Sequence, residues 1–241
     1  MYTGGGDPRK NLEALIRAYA LLPTAIRAGR QLAIVCVIDD GARDRLEALA
    51  ISCGLADNDL VVTGYVSDED LRDLYNLCEL FVFPSLYEGF GLPILEAMRS
   101  GKAVIGADRS SVPEVIGRPD ALFDPTSDSA IRDKMAEILT DPAKRIDLER
   151  HGLARSREFS WDTSADRALD ALSRLVSQRK QPSLPLSLAG ARRDKKPRMA
   201  FVSPLPPARS GISDHSASLL PDLSRHYEID VVVAQETIED D

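Results

Sequence analysis

The stretch that decides the fold is Ser85-Leu-Tyr-Glu-Gly-Phe-Gly-Leu-Pro-Ile-Leu-Glu96. The apolar run before it, residues 80–83, is typical of a buried strand, and a helical pattern begins after it at Leu92-Pro93. Proline suits the first helical turn, where its missing N–H needs no partner. Free N–H groups at a helix start attract phosphate, and glycines allow a ligand to lie against the backbone. The stretch therefore predicts an anion site between a strand and a helix.

Two carboxylates flank this predicted anion site, Glu88 in the turn and Glu96, which is expected on the first turn of the helix. Binding of phosphate alone does not require them. Carboxylates accept hydrogen bonds from hydroxyl groups. The pattern therefore indicates a ligand that contains both a phosphate and a sugar.

Apolar, strand-like segments alternate with helical patterns through residues 1–178, which predicts an α/β, Rossmann-like parallel sheet with helices on both faces. Such sheets bind ligands beyond the carboxyl ends of their strands. Glycine turns at 4–6, 64 and 89–91 each follow a predicted strand. We expect these three turns to converge on one edge of the sheet.

The composition changes after residue 178. Residues 179–197 contain several prolines and the basic cluster Arg192-Arg-Asp-Lys-Lys-Pro197, which predicts a linker. Residues 198–241 predict a β-α-β segment that is too short to cover both faces of its own sheet. We expect this segment to be the truncated start of a second Rossmann-like domain, after a ligand-binding domain at 1–178.

The composition limits the possible function classes. The chain has 241 residues, of which 44% are hydrophobic and 28% charged, and its net charge of −8 disfavours nucleic-acid binding. No apolar run approaches the length of a membrane span, which is about 20 residues. The three cysteines have no metal-like spacing, so we interpret them as buried, reduced thiols of a cytoplasmic protein.

The spacing of Glu88 and Glu96, with seven residues between them, resembles the Glu-x7-Glu motif of retaining GT-B glycosyltransferases of family 4. Further matches are Gly4-Gly-Gly-Asp-Pro-Arg-Lys-Asn11, Val62-Thr-Gly-Tyr-Val66 and Ser110-Ser-Val-Pro-Glu-Val115. The resemblance covers residues 1–178 and implies the donor-binding, C-terminal half of such an enzyme. It also implies a nucleotide-diphosphate sugar as substrate, with neither a cofactor nor a metal, and an acceptor-binding domain preceding Met1.

The resemblance implies a role for the first glycine turn. Lys10 is expected to bind the diphosphate and to act in catalysis; a solvated lysine at a helix start is the alternative. Many family members carry an arginine earlier in the turn, where this chain has Gly5, followed by Gly6. Arg9 either replaces that cation at the phosphate or forms a surface salt bridge.

The two glutamates receive different roles. Glu96 is expected to accept hydrogen bonds from the ribose hydroxyls; the alternative is an acid that favours the helix dipole, worth about 0.3–1 kcal/mol. Glu88 is expected to face the transferred sugar as a catalytic residue whose mechanism stays open. The backbone N–H groups of Gly89, Phe90, Gly91 and Leu92 are expected to bind sugar and phosphate, while the Phe90 ring packs.

Two other segments leave alternatives. Gly64, Tyr65 and Val66 either lie near the base or form an ordinary strand-end turn. Asp68-Glu69-Asp70 matches an Asp-x-Asp metal motif, but Ser67 before it is a good helix cap, so we interpret the segment as a capped helix start.

The predicted function is a retaining hexosyltransferase of polysaccharide or lipopolysaccharide synthesis. The motifs look most like bacterial O-antigen mannosyltransferases, so GDP-mannose is the favoured donor, followed by UDP-sugars. The acceptor is a saccharide, free or lipid-linked, which leaves peripheral contact with the inner face of the membrane open. The fragment alone is expected to be inactive. The alternatives are a nucleotide-sugar epimerase, a glycogen-type synthase and a non-catalytic sugar-nucleotide binding module.

Overall fold

The computed structural model describes residues 1–178, 196–207 and 211–233, so residues 179–195 of the predicted linker 179–197 lie outside the described residues. The chain forms two compact units, Met1–Arg174 and Leu175–Asp241. No helix among the described residues is long and apolar enough to cross a membrane.

The first unit alternates strands and helices in the order that the sequence pattern predicts. The strands are β1 (Tyr2–Thr3), β2 (Leu32–Val35), β3 (Leu60–Val62), β4 (Phe81–Phe83), β5 (Val104–Ala107) and β6 (Leu122–Phe123). The helices are α1 (Leu12–Ala20), α2 (Thr24–Arg27), α3 (Asp40–Ser52), α4 (Asp68–Leu77), α5 (Leu92–Arg99), α6 (Val112–Ile116), α7 (Asp128–Thr140) and α8 (Pro142–Ser156). Helix α9 (Trp161–Gln178) follows them and contains the boundary between the units.

All strand pairs in this unit are parallel, in two three-stranded sheets of order β1-β2-β3 and β4-β5-β6. Hydrogen bonds of Met1 join the inner strands: its amino group donates to the Leu80 carbonyl at 2.8 Å, and its carbonyl accepts from the Val82 N–H at 2.9 Å. Placed side by side, the strands run 3-2-1-4-5-6. The chain order reverses between β1 and β4, and this is the point where such sheets bind ligands.

The core is continuous across the sheet. Tyr2 of β1 stacks on Phe83 of β4 with ring centroids 5.9 Å apart, and both side chains are buried. The central strands β4 and β5 consist of consecutive buried residues because helices cover both faces of the sheet.

Two expectations were wrong in detail, and one short helix was not predicted. Only Cys36 is buried, whereas Cys53 and Cys78 are half-exposed; all three are free thiols. Glu96 is the fifth residue of α5 and lies at the start of its second turn, because the helix begins at Leu92. The short helix α2 was not predicted, since four residues are too few to show a period.

The second unit contains β7 (Arg198–Val202), α10 (Gly211–Ser224) and β8 (Glu228–Val232). The two strands pair in parallel over five residues each, from Arg198 opposite Glu228 to Val202 opposite Val232. A β-α-β arrangement of this kind agrees with the predicted segment.

Candidate functional site

The loops after β1 and β4 lie together at the carboxyl ends of these strands. The N–H of Leu86, after β4, donates to the Arg9 carbonyl at 2.8 Å. Asn11, between the first loop and α1, adopts a left-handed conformation with a φ of 59°. Its side-chain amide donates to the carbonyls of Pro84 at 3.2 Å and Pro125 at 2.8 Å. Asn11 thus ties the loops that follow β1, β4 and β6 to one another.

Lys10 and Glu88 form an ion pair between these loops. The Nζ atom of Lys10 donates to Oε1 of Glu88 at 2.6 Å, and the two side chains are 13% and 12% exposed. The sequence-predicted phosphate-binding cation and the sugar-facing acid therefore contact each other directly. Both charges lie at the point where the strand order reverses.

The first glycine turn is shaped by close packing. The Tyr2 hydroxyl donates to the Gly5 carbonyl at 2.8 Å. A Cβ on Gly6 would lie 2.0 Å from Cγ2 of Ile38, so no larger residue fits there without movement. Arg9 pairs with Asp7 at 2.8 Å on the surface, which is the salt-bridge alternative for this residue. The Arg9 hydrogen bond holds the pKa of the Asp7 carboxyl below its ordinary value.

The turn before α5 presents free backbone N–H groups. In the described part of the chain, nothing accepts a hydrogen bond from the N–H of Gly89, Phe90, Gly91 or Leu92. Gly91 precedes the helix with a φ of 104°, a conformation that favours glycine. The Phe90 ring meets Phe159 edge-on at 5.7 Å, so its side chain packs as expected. The N–H groups of the turn remain available to an anionic ligand.

Two serines from the loop after β5 clamp this turn. The Ser110 hydroxyl donates to the Glu88 carbonyl at 2.6 Å and accepts from the Glu88 N–H at 3.1 Å. The Ser111 hydroxyl lies 2.9 Å from the Phe90 carbonyl and 3.2 Å from that of Glu88. Ser110 adopts a left-handed φ of 56°. The position of Glu88 therefore depends on a loop that is distant in sequence.

Glu96 is exposed and receives one side-chain hydrogen bond. The hydroxyl of Tyr75, from α4, donates to Oε2 of Glu96 at 2.8 Å. Burial, and then the nearby Glu96 charge, raise the pKa of Tyr75 well above its ordinary value, so the phenol keeps its proton. One carboxylate oxygen is thereby fixed while the side chain stays open to solvent.

Gly64, Tyr65 and Val66 follow β3 on the same edge of the sheet. The Tyr65 ring is 81% exposed and Gly64 has a φ of 74°. A cation from α3 lies close by: Nη2 of Arg43 is 3.5 Å from where a Cβ on Gly64 would lie. An exposed ring and a guanidinium beside a glycine leave room for a flat ligand.

The Asp-x-Asp segment caps a helix, as predicted. The Ser67 hydroxyl accepts from the Asp70 N–H at 3.1 Å and donates to the Asp70 carboxylate at 2.7 Å. Among the described residues, no group of three or more His, Cys, Asp or Glu side chains is arranged to hold a metal.

Sequence reasoning did not identify Tyr75, Ser110, Ser111, Asn11 or Arg43 as site residues. Ser110 and Ser111 belong to one of the quoted motifs, so their position was a usable signal. Tyr75 and Arg43 lie at ordinary positions of amphipathic helices. Only the packing of those helices brings the two side chains to the site.

Comparisons with known proteins cover most of the chain. Residues 1–155 match the family model described as "Glycosyl transferases group 1". The chain is 40% identical over 227 residues to the serotype-specific mannosyltransferase WbdA of Escherichia coli, covering 90% of this chain and 28% of that protein. It is 37% identical over 171 residues to the O-antigen chain mannosyltransferase B of Escherichia coli, covering 71% of this chain and 44% of that protein. The chain therefore spans less than half of either relative.

Solved structures share the fold. The sucrose-phosphate synthase of Thermosynechococcus elongatus matches with a TM-score of 0.64 and 29% identity, over 73% of this chain and 45% of that one. WaaG, a glycosyltransferase involved in lipopolysaccharide biosynthesis, matches with a TM-score of 0.60 and 21% identity, over 70% of this chain and 45% of that one. These likenesses agree with the α/β architecture and the family match.

Proposed function

Since the chain belongs to the group 1 glycosyltransferases, we propose that its first unit binds a nucleotide-diphosphate sugar and presents it for retaining transfer to a saccharide acceptor. The favoured donor is GDP-mannose, and the product belongs to a cell-surface polysaccharide or lipopolysaccharide. The names of the relatives, a serotype-specific and an O-antigen chain mannosyltransferase, support the choice of mannose. Cytoplasmic location, with contact at the membrane face, is part of the same proposal.

The observation that carries this proposal is the meeting of Lys10, Glu88 and the free N–H groups of residues 89–92 at the strand reversal. Breaking the bond between the sugar C1 and the diphosphate leaves negative charge on the phosphate. A fixed ammonium and oriented N–H groups stabilise that charge without reorganisation of solvent. The start of α5 adds the positive end of its dipole.

The sugar and the nucleoside are assigned to the flanking groups. Glu88 lies beside Lys10 and faces the transferred sugar in this proposal. Glu96 accepts hydrogen bonds from the ribose hydroxyls, and the base lies against Gly64, Tyr65 and Val66. Charge-assisted hydrogen bonds to a carboxylate contribute about 1.5–3 kcal/mol each. This arrangement uses the chain's own cations and N–H groups, and no metal.

Donor binding is the appropriate test, because it requires only the proposed donor site and no acceptor. In a panel of GDP-, UDP- and ADP-sugars, we expect GDP-mannose to raise the thermal unfolding midpoint of the chain most. Replacement Glu96→Ala is expected to weaken that ligand at least about tenfold by calorimetry, and EDTA to leave the affinity unchanged. Glu69→Ala removes an exposed acid from a different helix, α4, and serves as the control. An unchanged affinity in Glu96→Ala would defeat the assignment.

A further inference from the structure

Tyr75 is a buried residue of α4, and its hydroxyl group reaches Glu96 in the candidate site. Its side chain is 3% exposed, and its ring packs against Phe81 with centroids 5.7 Å apart. A buried phenol requires a hydrogen-bond partner. Two acceptors lie within reach of its hydroxyl: Oε2 of Glu96 at 2.8 Å and the Pro93 carbonyl at 3.4 Å. The hydroxyl donates its single proton to the Glu96 carboxylate, which is closer than the Pro93 carbonyl and is the stronger acceptor.

Glu96 has little else to fix it. Its side chain is exposed, and among the described residues no other side chain bonds its carboxylate. A free glutamate samples many rotamers, and ordering it on ligand binding costs up to about 1.5–2 kcal/mol. The hydrogen bond from Tyr75 orders Oε2 before the ligand arrives. The other acceptor sites of the carboxylate receive no side-chain hydrogen bond from the described residues and are open to solvent.

We propose that Tyr75 is a positioning residue that fixes the Glu96 carboxylate so that it can accept both hydroxyls of a ribose diol. This inference rests on the proposed function, because it takes Glu96 as the ribose acceptor. The new element is that Tyr75, which does not contact the nucleotide in this proposal, determines how well the site distinguishes ribose from 2′,3′-dideoxyribose. The link between α4 and α5 is the hydrogen bond that this one buried phenol donates.

The chain provides a matched control in Tyr19. The Tyr19 side chain is 4% exposed, and its hydroxyl donates to the Arg30 carbonyl at 2.9 Å. Arg30 precedes β2, so this hydrogen bond lies at the amino ends of the strands, opposite the site. Tyr75→Phe and Tyr19→Phe each remove one oxygen atom from a buried tyrosine. A loss of folding stability that both share therefore cannot explain an effect specific to Tyr75.

The experiment measures dissociation constants by calorimetry for the full chain, using GDP and 2′,3′-dideoxy-GDP. We expect the wild type to prefer GDP, and Tyr75→Phe to weaken GDP about three- to tenfold without changing dideoxy-GDP. Tyr19→Phe should change neither constant. In a Glu96→Ala background, Tyr75→Phe should have no further effect on either constant.

The outcomes separate the two proposals. If the wild type binds GDP and dideoxy-GDP equally well, the ribose role of Glu96 fails, and the role of Tyr75 fails with it. If the wild type prefers GDP and Tyr75→Phe keeps that preference in full, only the Tyr75 proposal is overturned. Equal weakening of both ligands by Tyr75→Phe would likewise overturn it, since that result indicates a general structural effect.

Discussion

Lys10 and Glu88 are 78 positions apart in sequence, yet the ammonium nitrogen of Lys10 lies 2.6 Å from Oε1 of Glu88. The pair joins the loop after β1 to the loop after β4. Because both side chains are largely shielded from solvent, each neutralises the other in the free protein. A diphosphate that binds Lys10 must compete with Glu88 for the ammonium group.

Replacement Glu88→Gln should therefore have opposite effects on two ligands. The nucleoside diphosphate without sugar is expected to bind about two- to fivefold more tightly, because Lys10 loses its competing anion. The extra affinity that the sugar provides is expected to fall, since Glu88 faces the sugar in the proposed site. Calorimetry with GDP and GDP-mannose measures both changes. Lys10→Met, which should weaken both ligands, is the control; equal weakening by Glu88→Gln would contradict the competition.

The serine clamp leads to a second prediction. Ser110→Ala removes two hydrogen bonds to the Glu88 backbone. Its backbone stays in the left-handed conformation, which costs about 1–2 kcal/mol for a residue other than glycine. We expect a lower thermal midpoint and weaker donor binding. Ser110→Gly loses the same hydrogen bonds but relieves the backbone, so it should recover stability without recovering affinity.

Ser52→Ala is the control for the clamp because, among the described residues, the Ser52 hydroxyl bonds only the Leu49 carbonyl near the end of α3. If Ser110→Ala binds donor as well as the wild type, the turn does not depend on the clamp. If Ser110→Gly is less stable than Ser110→Ala, the left-handed backbone at this position does not destabilise the protein.

The order of strands and helices could be predicted from the sequence because each buried strand is a short, uniformly apolar run between helical patterns. Residues 80–83 illustrate this, since β4 forms within them, and β5 likewise consists of four buried residues. The order of strands in the sheet could not be read from such runs. It depends on contacts such as that between Met1 and Val82, which are 81 positions apart.

The main candidate residues of the site could be proposed from the sequence because they cluster in two short motifs. Glu88 directly precedes a glycine turn, and Lys10 and Glu96 follow such a turn within a few residues. The supporting residues were not found because tertiary packing creates their roles. Tyr75 lies in an ordinary helix, and nothing within residues 68–77 indicates that its hydroxyl reaches Glu96.

Two glycines are expected to respond differently to alanine. Gly6→Ala places a Cβ 2.0 Å from Cγ2 of Ile38, so the turn or the β-branched side chain must move, and the thermal midpoint should fall. A Cβ on Gly89 meets nothing within 4 Å, so Gly89→Ala should keep the midpoint. Donor affinity should nevertheless fall in Gly89→Ala if the ligand lies against that N–H group.

The double variant Gly6→Ala/Ile38→Ala provides the control, because it removes the atom that the new methyl group would strike. Its midpoint should exceed that expected from the two single effects added together. Simple additivity would show that Gly6 is required for another reason. A fall in the midpoint of Gly89→Ala would mean that its affinity no longer reports ligand contact.

The last prediction concerns acid stability and Glu79, which lies just before β4. Its carboxylate accepts from Arg30 at 2.7 Å and also pairs with Arg145 of α8. These partners, Arg30 foremost, hold the pKa of Glu79 below its ordinary value of 4.5. Near that pH the unfolded chain binds more protons than the folded one, so the stabilisation is present above about pH 4.5 and is lost as the pH falls further.

Between about pH 5 and pH 3, the thermal midpoint of Glu79→Gln should therefore fall less steeply than that of the wild type. Glu69→Gln changes an exposed acid that has no ion pair in the described residues and should retain the wild-type slope. Identical slopes for Glu79→Gln and the wild type would show that this ion pair contributes nothing to acid stability.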